Sequence, residues 1–216
     1  MPAARSVLDK EIAKLNDYIL QLASLVDEAV HKAIMSLKQR DTQMAQSVID
    51  GDEEINRIRY QAEEEMLRIL ATQFPTATDL RRVVAAAHVA VELERMGDHA
   101  SGIANLVWRL EEFEDLTSLH QLPKMAKRAR AMVQDSVDTF MRGDIEKAWA
   151  LIKRDIKLND QYASLFDETI QEMHDEYVHQ ATYLLWVGHN LERVGDRATN
   201  IAERAIFAYT GDMPNV

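Results

Sequence analysis

The chain has 216 residues, 47% of them apolar, enough to build a core, and its seven glycines and four prolines are too few for a turn-rich β architecture. A formal net charge of −11 argues against a nucleic-acid binder, because such binding is driven by basic side chains neutralising phosphates. There is no cysteine, which excludes disulfides, thiolate nucleophiles and cysteine-held zinc, so any metal must sit on oxygen or imidazole ligands. Residues 1–14 lack an apolar signal core, and no apolar run of about 18 residues occurs, so a soluble cytoplasmic protein is the expectation.

In chain order, Leu15, Leu22, Leu25, Val26, Ala29, Val30, Ala33 and Leu37 step by three and four, predicting a long amphipathic first helix that stops near Gln39-Arg40. Asp41 reads as the N-cap of a second helix carried by Val48, Ile55, Ile58, Ala62, Met66 and Ile69 and ending at Phe74-Pro75. Thr76 and Asp79 are spaced for a capping box, and a third helix runs from Leu80 through Val83, Ala87, Leu93 and Gly97 to near Leu110. Residues 111–122 form the one long acidic, apolar-poor gap, the expected boundary. Pro123 opens a fourth helix through Met125, Ala129, Met132, Val133, Val137 and Phe140. Gly143 ends that helix, and Asp144 caps a fifth.

The chain repeats itself. Glu92-Leu93-Glu94-Arg95-Met96-Gly97-Asp98 returns 98 residues later as Asn190-Leu191-Glu192-Arg193-Val194-Gly195-Asp196, and the likeness continues through Ala100/Ala198, Ile103/Ile201 and Ala104/Ala202. Upstream, a shift of 103 places Leu22 on Met125, Asp41 on Asp144, Val48 on Leu151 and Asn56 on Asn159. The reading is an internal duplication of a three-helix unit, with a first bundle over 1–113, a linker over 114–122 and a second bundle over 123–216.

Each unit carries two polar pairs at i, i+4. Glu94 and Asp98 share a helix face with Ser101 and Asn105, and Glu192 and Asp196 share one with Thr199 and Glu203. Asp52 with Asn56, and Asp155 with Asn159, supply matching pairs on the preceding helices. Like charges at this spacing cost roughly 0.2–0.5 kcal/mol. The interior glycines Gly97 and Gly195 add about 1 kcal/mol each relative to alanine. A plain offset is packing plus salt bridges, with Arg95 and Arg193 each three residues before the aspartate. A sharper one is a bound cation, which turns repulsion into ligation by oxygen donors on two rigid helices.

Other features are read more plainly. The basic cluster Lys124, Lys127, Arg128 and Arg130 is an exposed or partner-facing helix surface rather than a DNA site. His99 and His189 flank the motifs but point off the carboxylate face by one residue. A carboxylate-bundle metal enzyme would need two Glu-x-x-His motifs. Glu28-x-x-His31 and Glu176-x-x-His179 occur, but under the repeat Glu28 and His31 fall on Ala131 and Gln134. His174-Asp175 is a lone pair, and no phosphate loop or nucleophile set can be assembled. The three readings are a cation-binding regulatory protein, a metal-free helical scaffold, and the metal enzyme, which the residues support least.

The doubled Glu-Arg-x-Gly-Asp helices and Pro75-Thr76-Ala77-Thr78-Asp79-Leu80-Arg81 make nearly the whole chain resemble the PhoU family of phosphate-signalling and phosphate-transport regulators. The resemblance implies an all-α fold of two tandem three-helix bundles and a regulatory role rather than an enzymatic one. It implies metal contact at Glu94, Asp98, Glu192 and Asp196, joined by Asp52 and Asp155, with Asn56 and Asn159 as uncharged last ligands. The metal would be divalent or trivalent: Fe, Zn, Mn or Mg. The implied partners are the ATPase subunit of a phosphate ABC transporter and a phosphate-sensing histidine kinase. The protein would restrain phosphate uptake and the starvation response while associating peripherally with membrane-bound partners, with a homodimer as the candidate oligomer.

Overall fold

In a computed structural model, residues 2–113, 118–173 and 177–214 are described. Six α-helices follow one another: α1 (Pro2–Gln39), α2 (Thr42–Gln73), α3 (Ala77–Glu111), α4 (Leu122–Arg142), α5 (Ile145–Gln171) and α6 (Val178–Thr210). No strand occurs among the described residues. The three- and four-residue stepping of apolar side chains becomes the buried stripe of each helix, as with Leu15, Ile19, Leu22, Val26, Val30, Ala33 and Leu37 on α1.

The predicted stops are built as the residue chemistry requires. Asp41 accepts the Met44 N–H at 2.9 Å and Asp144 the Lys147 N–H at 3.0 Å, so both second helices of the repeat start on the same carboxylate cap. Gly143 closes α4 in the left-handed region at φ 67, donating to the Thr139 carbonyl at 2.9 Å. The Thr76 half of the capping box expected at the start of α3 is not made. Thr76 makes no side-chain cap bond, and the Asp79 N–H is taken by the Thr76 carbonyl at 3.1 Å. The backbone at this entry is unusual: Ala77 stands at φ 48, outside the helical region that the first turn of a capping box requires. Helix α4 begins at Leu122, one residue before Pro123. Residues 114–117 of the expected boundary lie outside the described residues, as do His174, Asp175 and Glu176.

Helices α1, α2 and α3 pack on one another; α6 packs on α4 and α5; and the two units join where α3 meets α6 and α1 meets α4. The central pair, α3 and α6, is lined with small buried residues such as Ala86, Ala90, Gly97, Ala100 and Ala104, and Gly188, Gly195, Ala198, Ala202 and Ala205. The small side chains let two long helices approach closely and each still receive an outer helix. The seam has a pseudo-two-fold arrangement at repeat-related positions. Glu92 reaches Arg197 at 3.4 Å and Asn200 at 3.1 Å. Asn190, its counterpart, meets His99 Nδ1 at 3.1 Å and lies against Gly102.

Candidate functional site

Both polar clusters form where an outer helix crosses the motif helix of its own unit, α2 over α3 and α5 over α6. The motif glycines set that approach. A Cβ on Gly97 would stand 2.9 Å from Ile55 Cδ1 and 3.5 Å from Asp52 Oδ1. One on Gly195 would run into Leu158 Cδ2 and stand 3.3 Å from Asp155 Oδ1. The glycines therefore hold the aspartates of the outer helices against the Glu-Arg-x-Gly-Asp turn.

In the first cluster, Asn56 Nδ2 donates to Asp52 Oδ2 at 3.0 Å and to the Asp52 carbonyl at 3.1 Å. Ser101 Oγ donates to Asp52 Oδ1 at 3.5 Å. Partial burial, then the neighbouring Asp98 carboxylate, raises Asp52 above the ordinary carboxylate range, opposed by the Ser101 and Asn56 hydrogen bonds. Glu94 is raised for the same reasons, burial first and Asp98 second, against the pull of Arg59. Arg59 Nε lies 3.7 Å from Glu94 Oε1, while its Nη1 pairs with Glu63 at 2.7 Å.

The second cluster repeats the pattern. Asn159 Nδ2 donates to Asp155 Oδ2 at 3.2 Å. Burial, then Asp196, raises Asp155, with Glu192 adding to the effect and Asn159 opposing it. Arg193 pairs with Asp196 at 2.9 Å, and His189 Nδ1 lies 3.3 Å from Glu192 Oε2. Here Asp155 Oδ1 and Thr199 Oγ1 are both buried and lack a hydrogen-bond partner. They line one cavity of about 320 Å³ together with Asp196, Arg193, Arg197 and Asn200. Ser101 and Asp52 make the matching contact in the first unit, so the second unit leaves open a donor and an acceptor that the first has joined.

All eight candidate site residues are thus brought into two clusters of four: Asp52, Asn56, Glu94 and Asp98, and Asp155, Asn159, Glu192 and Asp196. The donor chemistry fits a hard cation, with oxygen ligands, raised carboxylates and orphaned oxygens in one cavity. The asparagines, however, spend their amides on the neighbouring aspartate. Among the described residues, no three His, Asp or Glu side chains converge on one point as they stand. An ion at the second cluster would compete with Arg193 for Asp196 and with His189 for Glu192.

Two details correct the sequence reading. Arg95 pairs with Glu92 at 3.6 Å rather than serving Asp98, because a side chain on the helix reaches i−3 as readily as i+3. Arg130 leaves the basic cluster, forking onto Asp27 at 2.8 and 2.9 Å to tie α4 to α1. Two residues went unforeseen. Arg59 reaches Glu94, and its place three residues after Asn56 was the available signal. Glu92 opens the motif and crosses the seam.

The model of the PhoU domain matches twice, over residues 19–107 and 122–205. The chain belongs to the PhoU family. A PhoU homolog of Clostridium acetobutylicum, a phosphate-specific transport system accessory protein, is 30% identical over 210 residues, covering 96% of each chain. One from Streptococcus pneumoniae with the same description is 34% identical over 212 residues, covering 97% of this chain and 98% of its own. The crystal structure of the phosphate transport system regulatory protein PhoU from Streptococcus pneumoniae superposes with a TM-score of 0.90 at 32% identity, covering 97% of this chain and all of that one. The two PhoU matches coincide with the two three-helix units, and each contains one polar cluster.

Proposed function

We propose that this protein is a regulatory accessory protein of phosphate transport, and that it acts as an adaptor between the ATPase subunit of a phosphate ABC transporter and a phosphate-sensing histidine kinase. The observation that carries the reading is the doubled PhoU match, with near-full-length relatives named as phosphate-specific transport system accessory proteins. Long helices packed on a shared core, with no described helix long and apolar enough to cross a membrane, suit docking on membrane-bound partners from one side. The enzyme alternative gains nothing from the residues that suggested it. Glu28 is tied to Lys32 at 2.6 Å, and His31 faces Arg130 at 3.1 Å. Deleting the gene, together with any paralogue, should leave phosphate-starvation genes on in phosphate-rich medium and raise intracellular phosphate. Normal repression in that strain, with no binding of the purified protein to either partner, would refute the adaptor role.

Within that reading, the orphaned oxygens of Asp155 and Thr199 favour a divalent or trivalent cation, of the Fe, Zn, Mn or Mg class, at the clusters. Asp155, Glu192 and Asp196 would hold it in the second unit, and Asp52, Glu94 and Asp98 in the first. Asn159 and Asn56 turn the outer aspartates towards the motif helix. The ion would supply positive charge that neutralises the carboxylates and locks α5 to α6, and α2 to α3. Metal analysis of protein purified without chelator, compared with Asp98→Asn/Asp196→Asn, tests this. A wild type that takes up no ion, or a double variant with unchanged content, overturns it and leaves the metal-free scaffold.

A further inference from the structure

A second polar site lies on the opposite chemistry. Between α4 and α5 runs an open groove of about 530 Å³ lined by Lys124, Lys127, Arg128 and Ala131 on one side and Arg154 and Lys157 on the other. Five cations thus face one depression on a chain of net charge −11, and no carboxylate lines it among the described residues. Asp135 holds Arg154 at 2.5 Å. Among the described residues, Lys124, Lys127, Arg128 and Lys157 have no acidic partner.

The duplication provides an internal control. An overlapping groove exists in the first unit, between α1 and α2, where Leu25, Glu28 and Gly51 stand in place of Arg128, Ala131 and Arg154. The one described cation lining it, Lys32, is paired with Glu28 at 2.6 Å. Lys124, Lys127 and Lys157 correspond to Gln21, Ser24 and Glu54. The fold therefore needs no cation at these positions, and the basic lining is a property of the second unit alone.

The shape of the site selects its occupant. A single small anion is held by donors that converge and are buried, whereas Lys124, Lys127 and Lys157 are exposed and strung along two helices. A membrane surface demands a flat or convex basic face, and a long nucleic acid meets the net negative charge of the rest of the chain. What remains matched is the spacing. Positions 124, 127, 128 and 131 are i, i+3, i+4 and i+7 on α4, and 154 and 157 are i, i+3 on α5. Carboxylates on a helix laid between them recur with the same period, small Ala131 leaves room for its backbone, and the lysine stems give it apolar contact.

We propose that the α4–α5 groove is the docking surface for an acidic helical segment of a partner protein. The proposal deepens the adaptor reading by giving the chemistry of one partner face, and it is independent of any ion at the acidic clusters. The test is fluorescence anisotropy with the full-length protein and a capped, labelled alanine–glutamate peptide with glutamates at i, i+3, i+4 and i+7. The expected result is saturable binding that weakens steeply with salt and drops about tenfold in Lys127→Glu/Arg128→Glu, as the loss of two exposed ion pairs implies. Lys157→Glu, from the other wall, should weaken it too, and Lys153→Glu, exposed but outside the groove, should not; far-UV circular dichroism confirms that each variant is folded. Four results overturn the proposal. They are no binding, equal binding of a same-composition peptide with its glutamates spread around the helix, inorganic polyphosphate engaging the groove where the peptide does not, and occupation of the groove by a second copy of the chain. Failure here leaves the gene-deletion phenotype untouched, so the two readings fail separately.

Discussion

Three helix-interior glycines allow the close approach at the acidic clusters to be measured. Replacing any of them with alanine gains about 1 kcal/mol of helix propensity. Gly51, on the exposed face of α2, has nothing within 4 Å of an added Cβ, so Gly51→Ala should keep the whole gain. In a chain of this length that corresponds to a rise of about 2–4 °C in Tm. At Gly97 the new methyl stands 2.9 Å from Ile55 Cδ1, and Ile55 is only 3% exposed. Overpacking a core costs about 1–3 kcal/mol. The low end applies at Gly97, where a side-chain tip must shift, and leaves a net change of about zero to a 1 kcal/mol loss. At Gly195 the methyl overlaps the fully buried Leu158 and also crowds Asp155 Oδ1 at 3.3 Å, which places Gly195→Ala at the high end, a net loss of about 1–2 kcal/mol. Thermal and urea denaturation followed by circular dichroism should therefore rank Gly51→Ala above wild type, with Gly97→Ala next and Gly195→Ala last. If Gly195→Ala is as stabilising as Gly51→Ala, the motif glycine does not serve close helix approach and the account of the cluster fails.

Burial and the adjacent carboxylates raise Asp155, so its ionisation opposes folding. The penalty is complete above the raised folded-state value and fades as pH falls through that value towards the unfolded one. Metal-free Asp155→Asn should accordingly be more stable than wild type at neutral pH, with the gap closing on acidification; a gap constant with pH would contradict this. Adding a divalent ion should reverse the order at neutral pH, since the wild type alone keeps the charged ligand. At the seam, a double-mutant cycle between Glu92→Gln and Arg197→Gln should give a coupling of about 0.5 kcal/mol that weakens in high salt; zero coupling would remove Glu92–Arg197 as a seam contact.

Much of the fold was legible because a helix writes its buried face at a fixed period. Leu15 to Leu37, the Asp41 and Asp144 caps and the Gly143 stop are local facts, and the structure realises them locally. The eight polar candidates stood out for a different reason: the duplication showed which polar pairs recur, and the structure brings each set of four to one helix crossing. The failures are contacts whose direction the linear order leaves open. Arg95 could turn towards Glu92 or Asp98, and the sequence does not say which. Arg130 is one turn-step from the groove lysines, yet its choice of Asp27 depends on where α1 passes, which is a tertiary fact. Thr76 and Asp79 had the right spacing for a box, but the chain enters at φ 48 on Ala77, and spacing carries no dihedral.

The α3–α6 seam bears on how the chain avoids pairing with the wrong half. In a symmetric association of two first units, position 92 would meet position 99 and set Glu92 against a histidine. In one of two second units, Asn190 would face Arg197 and leave the guanidinium without a carboxylate. Only a first unit set against a second unit matches Glu92 to Arg197 and Asn190 to His99. The residues at these four positions make the halves complementary rather than interchangeable, so that a first unit pairs with a second unit in preference to another first, and a second unit with a first in preference to another second.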